Sequence, residues 1–228
     1  MLETARELLR QSGRIARERR AAVALFQVFV ALGCVLMMPH DPARSLQFSS
    51  SNKEQPWHGL ARWLSYWGSY QTGTVIVAAL LWLAGRVRHH TRWQVAALAC
   101  VLGASLAGIE VNVVRFTAGR ARPNAKAPAG WYGPHFDQQY ASFPSAHSAT
   151  AFGTASALAV AMPPVGIPLL AVADGVAWSR LALGRHYPSD VWVGSWVGLL
   201  NGAVLGFAAR RIARQNSTAS IRGQPHRT

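Results

Sequence analysis

The sequence predicts an all-α fold, a six-transmembrane helical bundle. Three observations point there. Hydrophobic residues make up 50% of the chain and charged residues only 14%, against roughly 25% charged in soluble domains. Six stretches approach the ~20 mostly apolar residues that a helix needs to cross a bilayer. The net charge of +14 arises mainly from basic residues beside those stretches, a pattern of membrane topology rather than a nucleic-acid-binding stripe.

In chain order, residues 1–20 are a basic segment carrying Arg6, Arg10, Arg14, Arg17, Arg19 and Arg20. The run 21–38 that follows has the outline of a signal peptide, but it is long enough to span. No convincing small-x-small cleavage site follows it, and Ala31-Leu-Gly-Cys34 lacks the Leu expected three residues before the Cys of a lipoprotein box. It is therefore expected to be an uncleaved first membrane helix. Trp57, Leu60, Leu64 and Trp67 fall at helical spacing and suggest an interfacial aromatic anchor. Further spans are expected at 69–85, 93–113, 146–162, 165–182 and 190–209. Pro163-Pro164 separates the fourth from the fifth, because proline cannot continue a helix. The fourth is crowded with Ser148, Ala149, Thr150, Gly153 and Ala157, which permits close helix–helix approach in lipid. Glu110 and Asp174 lie within spans, with Asn112 or Asn201 as possible partners. Cys34 and Cys100 sit inside apolar runs and read as inert core thiols, not a disulfide. The organisation is thus a basic segment 1–20, a six-span unit 21–209 and a basic tail 210–228, disordered from about Gln215.

Fourteen of the 23 Lys and Arg residues lie before the first span, between the second and third, or after the sixth. The positive-inside rule places those segments, and both termini, in the cytoplasm. Three polar segments then share the opposite side. They are Arg115-Phe-Thr-Ala-Gly-Arg-Ala-Arg122-Pro123, Pro144-Ser145-Ala146-His147, and Ser179-Arg180 followed by His186 and Asp190. The arginine fork suits phosphate oxygens. Two histidines can divide nucleophilic from acid–base work, and a carboxylate four residues after a histidine can orient it.

This ordered set resembles the type 2 phosphatidate phosphatase superfamily, which holds membrane lipid phosphatases, bacterial acid phosphatases and vanadium haloperoxidases. The family pattern is Lys-x6-Arg-Pro, then Pro-Ser-Gly-His, then Ser-Arg-x5-His-x3-Asp. The match covers about a third of the chain, from Arg115 to Asp190, and its apolar flanks fit the membrane branch. Arg115 stands where the family usually has Lys, and Ala146 where it has Gly. Neither change removes a reactive group, so both bear on substrate fit.

The resemblance implies a hydrolase that forms a phosphohistidine on His186. Asp190 would hold the other ring nitrogen's proton, and His147 would act as general acid and then general base. Arg115, Arg122 and Arg180 would clamp the phosphoryl oxygens, while Ser145 and the N–H groups opening the fourth span cradle the phosphate. No metal ion or cofactor is called for: the carboxylates are scattered, and His89-His90 lies on the other side. Arg120, Arg185 and Lys126 read as lipid-headgroup contacts.

The implied partners are a membrane lipid phosphate and the bilayer, with no nucleic acid. The implied place is the bacterial inner (cytoplasmic) membrane, with the active site at the periplasmic end. Undecaprenyl diphosphate, phosphatidylglycerol phosphate, phosphatidate and lipid A phosphates all fit. The scarcity of polar residues for reading a complex headgroup favours a polyprenyl diphosphate. A transporter would carry polar residues at several depths of most spans, whereas here they gather at one end.

Overall fold

A computed structural model describes residues 1–48 and 55–222. Among these, the α-helices are α1 (Leu2–Glu18), α2 (Arg20–Met37), α3 (Asp41–Phe48), α4 (His58–Trp67), α5 (Val75–Val87), α6 (Thr91–Ala118), α7 (Ala146–Ala161), α8 (Pro163–Ala182) and α9 (Pro188–Arg222). No strand occurs among the described residues.

Helix α7 is the axle. It packs against α6, α8 and α9, and α6 also packs on α9. Small residues make this possible, as the composition of the fourth predicted span suggested. A Cβ on Gly202 of α9 would stand 2.1 Å from Ser156 Oγ and 2.2 Å from the Gly153 carbonyl of α7. The backbones therefore touch where any larger residue would part them. The outer surface shows the converse. Leu25, Leu32, Leu36, Leu80, Ile109 and Ile167 are each more than half exposed, as a bundle solvated by hydrocarbon requires.

Four helical stretches are long and apolar enough to cross a membrane: Arg20–Ser45, Thr91–Ala118, Pro163–Ala182 and Pro188–Asn216. The other two predicted spans are shorter. The stretch expected at 69–85 is a π-helical turn, Tyr70–Thr74, running into the 13 residues of α5. Helix α7 has 16 residues and is sheathed by protein on three sides. Pro163 and Pro164 open α8, where their missing N–H groups cost nothing. Cys34 and Cys100 are free and buried.

Both ends of the chain are more helical than expected. Residues 2–18 form an amphipathic helix whose Leu8, Gln11 and Ser12, at i, i+3 and i+4, are buried against the bundle. At the other end α9 continues through Arg222, past the point near Gln215 where order was expected to stop. Residues 223–228 of the predicted tail lie outside the described residues. Trp57 packs on Trp178, so the aromatic segment leading into α4 is tied to α8.

Candidate active site

The three polar segments meet at one end of the bundle. Arg115 is in the last turn of α6, His147 in the first turn of α7, Arg180 in the last turn of α8, and Asp190 in the first turn of α9. The chain leaves α6 through Gly119 in the left-handed conformation, φ 57°. A Cβ there would overlap the Gly133 carbonyl at 1.7 Å, so only glycine lets the 119–143 loop fold back. Once folded back, Ser142 N donates to the Arg120 carbonyl at 3.1 Å.

Two adjacent carbonyls in that loop then fix three functional side chains. Arg115 donates to Ala141 O through Nε (3.2 Å) and Nη2 (2.9 Å), and Arg122 Nη2 reaches the same oxygen at 3.4 Å. His186 Nδ1 lies 2.7 Å from Ser142 O. A carbonyl only accepts, so Nδ1 carries the proton and Nε2 is left with its lone pair. His186 is buried at 2% exposure. Burial, reinforced by Arg180 and opposed by Asp190, pushes its pKa down to about 4. The imidazole is neutral at physiological pH.

Asp190 differs from its expected role. It stands 3.6 Å from His186 Nδ1, too far for a hydrogen bond. Its oxygens instead accept from Ser142 Oγ (2.5 Å), Tyr187 N (2.8 Å) and Arg120 Nη1 (2.6 Å). It therefore holds the histidine indirectly, by bonding the residue whose carbonyl receives Nδ1–H.

Arg120 is not a headgroup contact. Its side chain is 8% exposed, paired with Asp190 and, at 2.7 Å through Nη2, with Asp41. Trp131 and Tyr187 lie over its guanidinium at 5.0 and 4.3 Å from their ring centroids. Burial alone would lower its pKa, but Asp190 and Asp41 together hold it above the ordinary value. Asp41 in turn accepts from Ser189 N at 3.1 Å and from the Ser189 hydroxyl.

On the other side of His186 the wiring is incomplete. His147 lies within electrostatic reach of Arg180, His186, Arg115 and Arg122. Arg180 donates to Ser65 Oγ through Nη1. The Nε atoms of Arg122 and Arg180 are buried and have no protein partner. Burial, then the nearby Arg115 and Arg185, push Arg122 down to about 10. Guanidinium groups crowded together without an anion form a receptor for one. Ser145 caps α7, its Oγ accepting from Ser148 N at 3.4 Å and Ser148 Oγ at 3.0 Å.

The chain matches a family model, "PAP2 superfamily", over residues 93–211. The chain belongs to the PAP2 superfamily. Curated relatives are lipid phosphatases. The chain is 35% identical over 147 residues to decaprenylphosphoryl-5-phosphoribose phosphatase of Mycobacterium tuberculosis, covering 64% of this chain and 76% of that one. It is 33% identical over 104 residues to lipid A 1-phosphatase of Rhizobium johnstonii, covering 42% and 43%. The crystal structure of a transmembrane PAP2-type phosphatidylglycerolphosphate phosphatase from Bacillus subtilis shares the fold. It has a TM-score of 0.59 and 19% identity over 88% of this chain and 98% of that one. This PAP2 chain is thus a membrane-embedded member of a family of lipid phosphatases.

The seven residues singled out from the sequence all fall in this one region. The sequence reading missed Asp41, Ser142 and Ser65, and misassigned Arg120. Asp41 is far from the motifs in sequence, and nothing local marks it. Ser142 had a weak signal, a polar residue just before Pro144. Glu110 accepts from Asn201 Nδ2 at 2.9 Å, one of the two pairings expected. Among the described residues no cluster of His, Cys, Asp or Glu could hold a metal ion.

Proposed function

We propose that this protein is an integral membrane phosphatase that cleaves a lipid phosphate or diphosphate through a phosphohistidine on His186. The observation that carries the reading is the pairing of His186 with Ser142 O beside Arg122 and Arg180, whose buried Nε atoms have no protein partner. It presents a neutral Nε2 beside guanidinium groups suited to bind an anion.

In the first step Nε2 attacks phosphorus and the bond to the lipid-side oxygen breaks. His147, protonated, donates to that departing oxygen. Nδ1–H stays on Ser142 O, and the positive charge on the imidazolium is compensated by Asp190 at 3.6 Å. In the second step neutral His147 takes a proton from water, hydroxide attacks phosphorus, and the P–N bond breaks. The products are inorganic phosphate, the lipid carrying one phosphate fewer, reprotonated His147 and neutral His186. Arg115, Arg122 and Arg180 hold the equatorial oxygens throughout, a role worth roughly 10²–10³-fold per donor.

A polyprenyl carrier is the favoured substrate. The sequence offers few polar residues in its spans for reading a larger headgroup, and the mycobacterial relative is named for a decaprenyl-linked substrate. Six membrane crossings are part of this reading, with α5 and α7 as short spans. The basic bias then sets both termini in the cytoplasm and opens the site to the periplasm of the inner membrane. A headgroup at the outer leaflet meets the cluster while its tail stays in lipid.

Phosphate release from purified protein tests the reading on a panel of undecaprenyl diphosphate, phosphatidylglycerol phosphate, phosphatidate and lipid A. Fastest release is expected from the polyprenyl substrate, in excess EDTA. A strict magnesium requirement would refute the arginine-only site, and preference for a glycerolipid would refute the polyprenyl assignment. Single cysteines near Lys126 and Gln215, in a background lacking Cys34 and Cys100, test orientation. An impermeant thiol reagent applied to spheroplasts should label the first alone.

A further inference from the structure

The end of the bundle opposite the catalytic cluster holds a second feature that the phosphatase chemistry does not use. Near the middle of the bundle α2 and α9 are zipped together by rings. Phe26 and Phe29 meet Trp196 edge-on at 5.4 and 5.5 Å, and Trp192 Nε1 donates to Val30 O at 3.1 Å. Beyond Phe26 the two helices part. The last turn of α1 closes the gap and leaves a cleft of about 1080 Å³.

The cleft has two chemistries. Its throat is apolar, with Val23 and Phe26 on α2 facing Ala203, Val204 and Phe207 on α9. Its rim is cationic: Arg19, Arg210 and Arg211 stand beside Glu18, the one carboxylate among the described residues that line it. Glu18 is already engaged by Arg14 at 2.8 Å and by Arg211 at 3.6 Å. The rim therefore keeps an excess of guanidinium charge. Arg210 is 20 residues beyond Asp190 on the same helix, about 30 Å along the axis. This is a separate place from the catalytic anion site.

We propose that this cleft binds an anionic glycerophospholipid, acyl chains in the throat and phosphate on the arginine rim. Charge selects the occupant. A zwitterionic lipid would bring an ammonium group toward guanidinium groups, and an uncharged amphiphile would leave them without a counter-ion. Arginine forks accept a phosphate bidentately, and apolar walls facing the bilayer are filled by hydrocarbon rather than water. Bound there, the lipid ties α1 and α2, which pack less extensively on the core, to α9.

The test uses the full chain, delipidated in non-ionic detergent, with phosphatidylglycerol or phosphatidylcholine added back. Saturating phosphatidylglycerol should raise Tm by roughly 5–10 °C, and native mass spectra should retain one molecule per chain. Phosphatidylcholine should do neither. The double variant Arg19→Gln/Arg210→Gln should lose the shift, while Arg86→Gln/Arg88→Gln, at the exposed carboxy-terminal end of α5, should keep it. Ala203→Trp, which fills the throat and removes no charge, should also lose it. An equal shift with phosphatidylcholine would overturn the proposal. So would a phosphatidylglycerol shift that survives Ala203→Trp, or an equal loss in the Arg86/Arg88 variant.

Discussion

Arg120 and Arg122 are two residues apart, the first buried and the second half-buried, and they belong to opposite kinds of environment. Arg120 is saturated: two carboxylates, a serine hydroxyl and two aromatic rings account for its guanidinium. Arg122 is left wanting, with weak contacts at 3.4 and 3.5 Å and a buried Nε that has no partner. His186 sits on the boundary between the two. The saturated side fixes its ring, and the unsaturated side waits for an anion. Buried charge is scaffold where its partners are built into the protein and receptor where they are not.

The largest effect should come from the boundary itself. His186→Ala removes the nucleophile and should lower phosphate release by at least ~10³-fold while the protein stays folded in detergent. Near wild-type turnover in a folded variant would sink the phosphohistidine route. His147→Ala should follow it closely, except with substrates whose leaving group needs no proton. Those should load His186 with phosphate that is then released slowly.

The two arginines separate stability from activity. Arg122→Gln or Arg180→Gln should cost roughly 10²–10³-fold in kcat/KM and leave Tm unchanged or raised, because each removes a like charge from a crowded site. Arg120→Gln should instead leave Asp41 and Asp190 buried without their cation and destabilise the fold by about 3–5 kcal/mol. The comparison breaks if Arg120→Gln unfolds at the wild-type temperature, or if Arg122→Gln is the one that loses stability.

The pH dependence sharpens the same boundary. His186 is held down to about 4 by burial in the folded state, against roughly 6.5 when unfolded. Between those values the unfolded chain binds the extra proton. Its contribution to stability is complete above the unfolded value and is lost as pH falls through the folded one. Attack needs the neutral ring, so the acid limb of kcat/KM should lie below the ordinary histidine range. In kcat, where the negative charge of the bound phosphate offsets the surrounding guanidinium groups, the alkaline limb should follow loss of the His147 proton, giving a bell whose limbs belong to the coupled pair. An acid limb near 6.5 would show that His186 is not desolvated as the geometry requires.

Much of this was legible in the sequence because the chemistry repeats in short segments. Six apolar runs foretold the helices, and the spacing of Arg115, Arg122, His147, Arg180, His186 and Asp190 foretold their convergence. What escaped were contacts between elements far apart in the chain. Asp41 reaches Arg120 across 79 residues, and nothing local marks an aspartate that follows a first span. Arg120 looked like Arg185 and Lys126, because a charged residue in a membrane-proximal loop reads the same whether its partner is lipid or protein. Helix α1 was hidden by its own arginines, whose charge masked the i, i+3, i+4 spacing of Leu8, Gln11 and Ser12.

The smallest effect should come from the site arginine that is most nearly saturated. Arg115 spends two donors on Ala141 O and a third, Nη1, on Asn112 Oδ1 at 3.1 Å. It stands with one foot in the scaffold and one in the receptor. Lysine there restores the usual family residue and keeps the charge, but as a compact ammonium it cannot grip the carbonyl with a fork and still face the site. Arg115→Lys should therefore cost less than about tenfold in kcat/KM, far less than Arg122→Gln, since the electrostatic term survives. The loss should fall on KM more than kcat if the fork mainly positions the headgroup. Arg115→Met, which removes the charge, should approach the Arg122→Gln loss. If Lys and Met prove equally damaging, the fork's bonds to Ala141 matter more than its charge, and Arg115 belongs with Arg120 on the saturated side.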